Sequence, residues 1–323
     1  MIVAGIDEAG YGPLLGPLVV GCCAFDIGPW DESQPIPCLW KRLSRLVSKN
    51  RLASGRKLHV NDSKLVYSTS LGLKELERSI LTILCAAGEM PENLPSLLAR
   101  TAPHVLEELG IYPWYQAGEV ESFPIEQDAL PIRLFANGLK MEMQRSGTHC
   151  VYLSARVVLE RRLNQLISAT RNKATVLFST SAIHLDYLLS THGHGPMTIF
   201  CDRQGGREHY ASLLRLMFEQ WSLEVLREQD GHSDYRLTSG NKSVRIIFRE
   251  KAETLCMSVA LASMLSKYLR EALMRRFNTF WARYMPEVPP TAGYYGDGAR
   301  FLRDIEPARR KLGIADEQLI RCR

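Results

Sequence analysis

Two adjacent carboxylates, Asp7 and Glu8, end the apolar run Ile2-Val3-Ala4-Gly5-Ile6, and a glycine-spaced turn follows at once: Gly10, Gly12, Pro13, Gly16, Pro17. The apolar run reads as a buried strand. Acids at the edge of such a strand are expensive to desolvate. A carboxylate pair beside a loop with exposed backbone N–H groups suits a divalent metal next to a phosphate. The competing reading is a polar strand end leading into a hairpin. The same pattern returns at Pro196–Cys201, an apolar run that ends on Asp202, which a helix N-cap would also explain. Other constellations are weaker. His192-Gly193-His194 has no further ligands nearby and reads as a loop. Ser263 lies in no nucleophile elbow. Gly205-Gly206 follows a strand, but no phosphate-binding lysine comes after it.

The opening segment, Asp7-Glu8-Ala9-Gly10-Tyr11-Gly12-Pro13, resembles the first motif of the type 2 ribonucleases H, the ribonuclease HII family and its eukaryotic and archaeal catalytic subunit. The family's later motifs have counterparts in order. They are Asn61-Asp62-Ser63-Lys64, Phe200-Cys201-Asp202, Lys251-Ala252-Glu253 running on to Ser263, Lys267 and Arg270-Glu271, and Gly293-Tyr294. The resemblance is dense around 1–25, 60–68, 160–215, 245–275 and 290–302, and weak between 28 and 58 and between 90 and 155. It implies an α/β fold: a ribonuclease H-like mixed sheet flanked by helices, its first hairpins antiparallel and later strands parallel, with a C-terminal helical extension. It also implies an endonuclease that cuts the RNA strand of RNA–DNA hybrids or incises at ribonucleotides embedded in duplex DNA, leaving a 3′-hydroxyl and a 5′-phosphate. Asp7, Glu8, Asp202 and Glu253 would be both the catalytic acids and the ligands of Mg²⁺ or Mn²⁺. Two-metal hydrolysis needs acids converging from different elements, with ions roughly 3.5–4 Å apart.

For substrate contacts the resemblance implies the backbone of Gly10, Tyr11 and Gly12, a phosphate contact from Lys64, stacking of Tyr294 on a sugar, and support from Ser263 and Lys267. Asp62 is expected to hold loop geometry. Two departures stand out. Glu253 occupies a place where the family has Asp, with Glu250 a competing acid. Tyr11 occupies a place where the family has Arg, so a charge-assisted phosphate contact is lost. Tyr11 is open to stacking on a base, donating one hydrogen bond, or packing. These departures keep alive a second function, a catalytically impaired nucleic-acid-binding protein on the same fold.

The positioning elements follow from periodicity. Met1–Ile27 reads as two strands, Leu39–Val47 and Thr69–Ala87 as helices, Leu159–Leu189 as a long helix broken near Asn172, and Gly205–Trp221 and Glu253–Thr279 as helices. Cys150–Leu153, Leu223–Leu226, Tyr235–Thr238 and Val244–Phe248 read as strands. Gly293–Ile314 reads as a loop and a terminal helix, and Met90–Gly147 as an insertion of unassigned structure. The expected division is a catalytic domain over 1–275, carrying an insertion at about 90–155, and a helical extension over 276–323 that packs on the substrate cleft.

The balance of 40 Lys and Arg against 35 Asp and Glu suits a nucleic-acid partner without demanding one. Basic residues cluster at Lys41–Lys57 and at Arg161, Arg162, Arg171 and Lys173. The eight cysteines make no Cys-x-x-Cys pair, which argues against a structural zinc, and those at 22, 23, 201 and 256 sit in apolar runs as buried thiols. With no signal peptide and no membrane-length apolar run, a cytoplasmic monomer is expected.

Overall fold

The computed structural model describes residues 1–31, 33–52, 54–68, 70–116, 118 and 121–322. Strands β1 (Ile2–Ala9) and β2 (Leu18–Asp26) form the expected opening hairpin. They are joined in one sheet by β3 (His149–Val158), β4 (Met197–Asp202), β5 (Ser222–Gln229), β6 (His232–Ser239) and β7 (Lys242–Arg249). The spatial order is β3-β2-β1-β4-β7-β6-β5. β2 pairs antiparallel with both β1 and β3, whereas β1, β4 and β7 run parallel. Beyond β7 the sheet turns antiparallel again through β6 to the edge strand β5. This is the mixed sheet expected from the sequence.

Helices cover both faces. On one face pack α1 (Lys74–Ala86), α2 (Leu94–Thr101), α3 (Ala129–Arg145) and α7 (Met257–Tyr284). On the other lie α4 (Glu160–Thr170), α5 (Lys173–His192) and α6 (Ala211–Met217). Helix α8 (Tyr295–Leu312) follows the proline-rich break and supplies Phe301 and Ile305 to the first core. The expected division at 275/276 falls inside α7, which continues to Tyr284.

The break between α4 and α5 has a local cause. Arg171 adopts a left-handed φ of 53°, and the Asn172 side chain accepts a hydrogen bond from the Thr175 amide as an N-cap. The unassigned stretch after Met90 is helical. It is bound to the body by Glu77, a buried carboxylate that accepts the Ile125 and Glu126 amides and the Tyr268 hydroxyl at 2.7–2.9 Å.

Several local expectations fail. Leu39–Val47 forms one helical turn, Leu39–Arg42, before Val47–Ser48 pairs with Leu58–His59. Helix α1 begins at Lys74; the expected start at Thr69 lies outside the described residues. Gly205 and Gly206 take positive φ values of 57° and 77°, so no helix can run through them, and α6 waits until Ala211. Much of the basic run at 41–57 serves the fold: Arg42 donates to the Ile27 and Ser146 carbonyls, Lys49 to Thr254 and Lys57 to Ser44.

Candidate active site

The acids are brought together by strand register. β1 and β4 pair in parallel from Ile2↔Met197 to Ile6↔Cys201, which leaves Asp7 and Asp202 side by side at the same sheet end. Glu8 is the next residue of β1. Glu253 arrives differently from expectation. It does not open the long helix but sits in a separate 3-10 turn, Ala252–Thr254. Lys251 is left-handed at φ 57°, and Cys256 is extended before α7 begins. This turn is pinned to the site because the Ala252 amide donates to Asp202 Oδ1 at 3.2 Å.

Electrostatics show how near the four acids stand. Burial pushes the Asp7 carboxyl well above the usual range, and the charges of Glu8 and Asp202 add to this. Burial, then Asp202, raises Glu8 to about 8. Burial raises Asp202, against the Ala252 and Arg203 amides that favour its charged form. Burial raises Glu253 to about 6, with a further push from Asp202. Lys64 opposes the rise at Glu8, Asp202 and Glu253, so its ammonium faces the cluster. It is carried there by Asp62, whose Oδ1 accepts the Lys64 amide at 2.9 Å, the loop-holding role expected of it.

Hard oxygen donors that repel one another are what a divalent cation neutralises. One of them, Glu253 Oε2, is buried without a hydrogen-bond partner. In chemistry the four acids fit such an ion. In placement they are loose: among the described residues, no three carboxylate, imidazole or thiol side chains stand close enough to hold a metal.

The remaining candidates divide. Gly10 needs its left-handed φ of 84°, and a Cβ there would strike the Pro17 carbonyl. Gly12 has nothing within 4 Å of where a Cβ would stand, so it faces open space. Tyr11 is half-buried. Its hydroxyl is held in the protonated form by burial and by Glu8, against the pull of Arg207. Tyr294 is 53% exposed, which rules out a core role. It is placed by Gly293, whose carbonyl accepts the Leu14 and Leu15 amides of the glycine loop.

Ser263 and Lys267, expected in a supporting role, have different surroundings. Ser263 is buried, its hydroxyl 3.0 Å from Ser63 Oγ, and it favours the charged form of the Asp7 carboxyl, which places it beside an acid. Lys267 is bound to Glu271 in an i,i+4 ion pair and lies over the Tyr67 ring at 4.5 Å.

Residues missed by sequence reasoning fix the glycine loop from beneath. Arg270, 1% exposed, donates to the Pro17, Leu15 and Ala292 carbonyls at 2.7–3.1 Å. Arg321 donates to the carbonyls of Gly10, Tyr11 and Gly16. Burial and the neighbouring Arg270 lower its pKa to about 9. Glu160, raised to about 7 by burial, stands near both arginines. Arg270 was visible only as part of a motif, and no local pattern marks Arg321.

No family model matches the chain. A ribonuclease HII of Methanocaldococcus jannaschii is 44% identical over 61 residues, 19% of this chain and 25% of the relative. A ribonuclease HII of Gluconobacter oxydans is 30% identical over 84 residues, 26% of this chain and 39% of the relative. The aligned stretches thus span well under half of either relative. Among solved structures, the ribonuclease HII in a complex with PCNA from Archaeoglobus fulgidus superposes with a TM-score of 0.43 at 14% identity, over 100% of this chain and 95% of that one. Ribonuclease H2 of Pyrococcus horikoshii gives 0.41 at 14%, over 99% and 92%. These superpositions are loose, and the assignment rests on sequence. Taken with the five motifs in order, the two sequence matches make the chain similar to the type 2 ribonucleases H and support reading it as a divergent relative of them.

Proposed function

We propose that the protein is a divalent-metal endonuclease that cuts the RNA strand of RNA–DNA hybrids or incises duplex DNA at embedded ribonucleotides. The observation that carries this reading is the convergence of Asp7, Glu8, Asp202 and Glu253 from three separate elements, with Lys64 facing them. The four acids would hold Mg²⁺ or Mn²⁺. When bound, such ions activate water and offset charge on the leaving oxygen, giving a 5′-phosphate and a 3′-hydroxyl. The chain's own groups do the rest. Ser263 orients Asp7. Lys64 holds a phosphate near the cut. The backbone at Gly10 and Gly12 approaches the 2′-hydroxyl, the one group that separates RNA from DNA there. Tyr294, exposed beside the glycine loop, stacks on the neighbouring sugar.

Eight free thiols, four of them buried, suit a reducing compartment such as the cytoplasm, and we take the working form to be a monomer. No helix among the described residues is long and apolar enough to cross a membrane.

A second reading, a nucleic-acid-binding protein that cleaves slowly, rests on the two departures from the family pattern, Tyr11 and Glu253. The decisive measurement is cleavage of a duplex carrying one ribonucleotide, with Mg²⁺ or Mn²⁺, beside an all-DNA control. We expect a cut only at the ribonucleotide. Asp7→Asn should abolish it while leaving duplex binding largely intact, because a metal ligand is removed and not a phosphate contact. Substantial residual cleavage by that variant would sink the assignment of the acids. Tight binding without cleavage by the unaltered protein would favour the second reading.

A further inference from the structure

Tyr11 stands near two cations, Lys173 and Arg207, that make no ion pair among the described residues. The Lys173 ammonium lies over its ring, 5.2 Å from the centroid. Arg207, from the loop after β4 two residues beyond Gly205, is near enough to favour the ionised form of the Tyr11 hydroxyl. Its Nε is buried without a hydrogen-bond partner. Glu208, the sequence neighbour of Arg207, and Glu250 on the adjacent strand end both pair with Arg203, at 3.4 Å each. Gly205 packs so closely that a Cβ would lie 3.1 Å from the Tyr11 hydroxyl and 3.5 Å from Ala174. The glycine therefore brings the β4 loop, the glycine loop and the start of α5 to one point. Lys173 is already partly desolvated, with Arg321 as a further positive neighbour.

Cations gathered without an ion-pair partner among the described residues, beside a hydroxyl that remains a donor, make a site for an anion. Glu8 borders this group on one side, so the anion would sit next to the acid cluster. We propose that Lys173, Arg207 and the Tyr11 hydroxyl form a subsite for one phosphate group of the bound polynucleotide strand, beside the acids. The guanidinium offers paired donors, the ammonium a point charge and the phenol a single O–H. The inference rests on the nuclease reading for its ligand, and Tyr11 gains a role through its hydroxyl and neighbours rather than through base stacking.

The test is duplex binding in EDTA across a series of KCl concentrations, with a duplex carrying one ribonucleotide. Lys173→Ala and Arg207→Ala should each flatten the dependence of log affinity on log salt by about one unit, and the double variant by about two. Arg207→Lys should retain most of the slope, which separates loss of charge from loss of fold. A second arm places a neutral methylphosphonate at successive positions around the ribonucleotide. One position should weaken binding by the unaltered protein and leave the double variant indifferent. Inorganic phosphate, added as competitor at constant ionic strength, should relieve binding less in the double variant. Unchanged salt slopes in both alanine variants, or equal losses at every methylphosphonate in both proteins, overturn the subsite. Cleavage with unchanged slopes removes the subsite and leaves the nuclease reading standing. Flattened slopes in a protein that never cleaves do the reverse.

Discussion

Glu8, Asp7, Asp202 and Glu253 hold protons more tightly in the folded chain than in the unfolded one, because burial and mutual repulsion penalise their charges. The sign follows from linkage. A carboxyl whose folded pKa is raised costs nothing below its unfolded pKa, and the fold loses stability as pH rises toward the folded value. For Glu8 that window runs from its ordinary 4.5 to about 8. Metal-free protein should therefore become less stable across this range. Glu8→Gln removes one charge from the cluster, so its melting temperature in EDTA should exceed that of the unaltered protein at pH 8 and match it near pH 4.5. Saturating Mg²⁺ should reverse the order at pH 8, since only the native acids gain from the ion; at 100 times its dissociation constant an ion adds about 2.7 kcal/mol. A Glu8→Gln variant that melts lower than the unaltered protein in EDTA at pH 8 would contradict this account.

Among the elements, α7 does the most to set the site. It carries Ser263 and lies directly on β1 and β2. Glycines make that approach possible: a Cβ on Gly5 would fall on the Val259 amide, and one on Gly21 would strike the Ala262 carbonyl and the Ser266 hydroxyl. Ser266 in turn donates to the Asp7 carbonyl, and Ser258 to the Val3 carbonyl. Because the obstruction at Gly5 is helix backbone, the structure cannot yield by rotating a side chain. Gly5→Ala should cost at least about 3 kcal/mol, the upper end of ordinary overpacking. Gly12→Ala, with open space around it, should leave the urea midpoint unchanged. Equal midpoints for the two variants would mean that α7 does not press on the sheet as described.

At the scale of the whole molecule, the first and last parts of the chain share one structure. Arg321 reaches the glycine loop some three hundred residues earlier and binds carbonyls on both sides of the turn. The Arg321 backbone amide also donates to Leu14 at 3.0 Å, and Asn164 ties the same segment to α4. Arg321→Ala would leave those carbonyls unmatched and Glu160 short of a cation. We expect a loss of about 3 kcal/mol, as for breaking a buried charged group from its partners. Duplex binding should weaken as the glycine loop loosens. Arg321→Lys should fall between, since an ammonium cannot span three carbonyls. Hydrogen exchange at residues 10–17 is the direct readout: protection unchanged in Arg321→Ala would show that the loop holds itself.

Much of this arrangement was legible in the amino-acid order, because it depends on neighbours. The apolar run before Asp7, the matching run before Asp202 and the break at Asn172 are read from alternation, turn residues and an N-cap within a few positions. The strand ends that carry three of the acids follow from them. Where local signals compete, tertiary structure decided. Glu253 lies in a segment of helical composition, yet the left-handed Lys251 and the extended Cys256 isolate it in its own turn. Lys267 matches a motif position, but Glu271 and Tyr67 claim its charge. Gly205 and Gly206 could have sat in a helix, but both take positive φ, and Gly205 packs against Tyr11. Arg321 and Arg207 carry no pattern at all. Their roles come from carbonyls and an aromatic ring supplied by segments far away in the chain, and residue spacing encodes contacts only across a few turns of helix or along one strand.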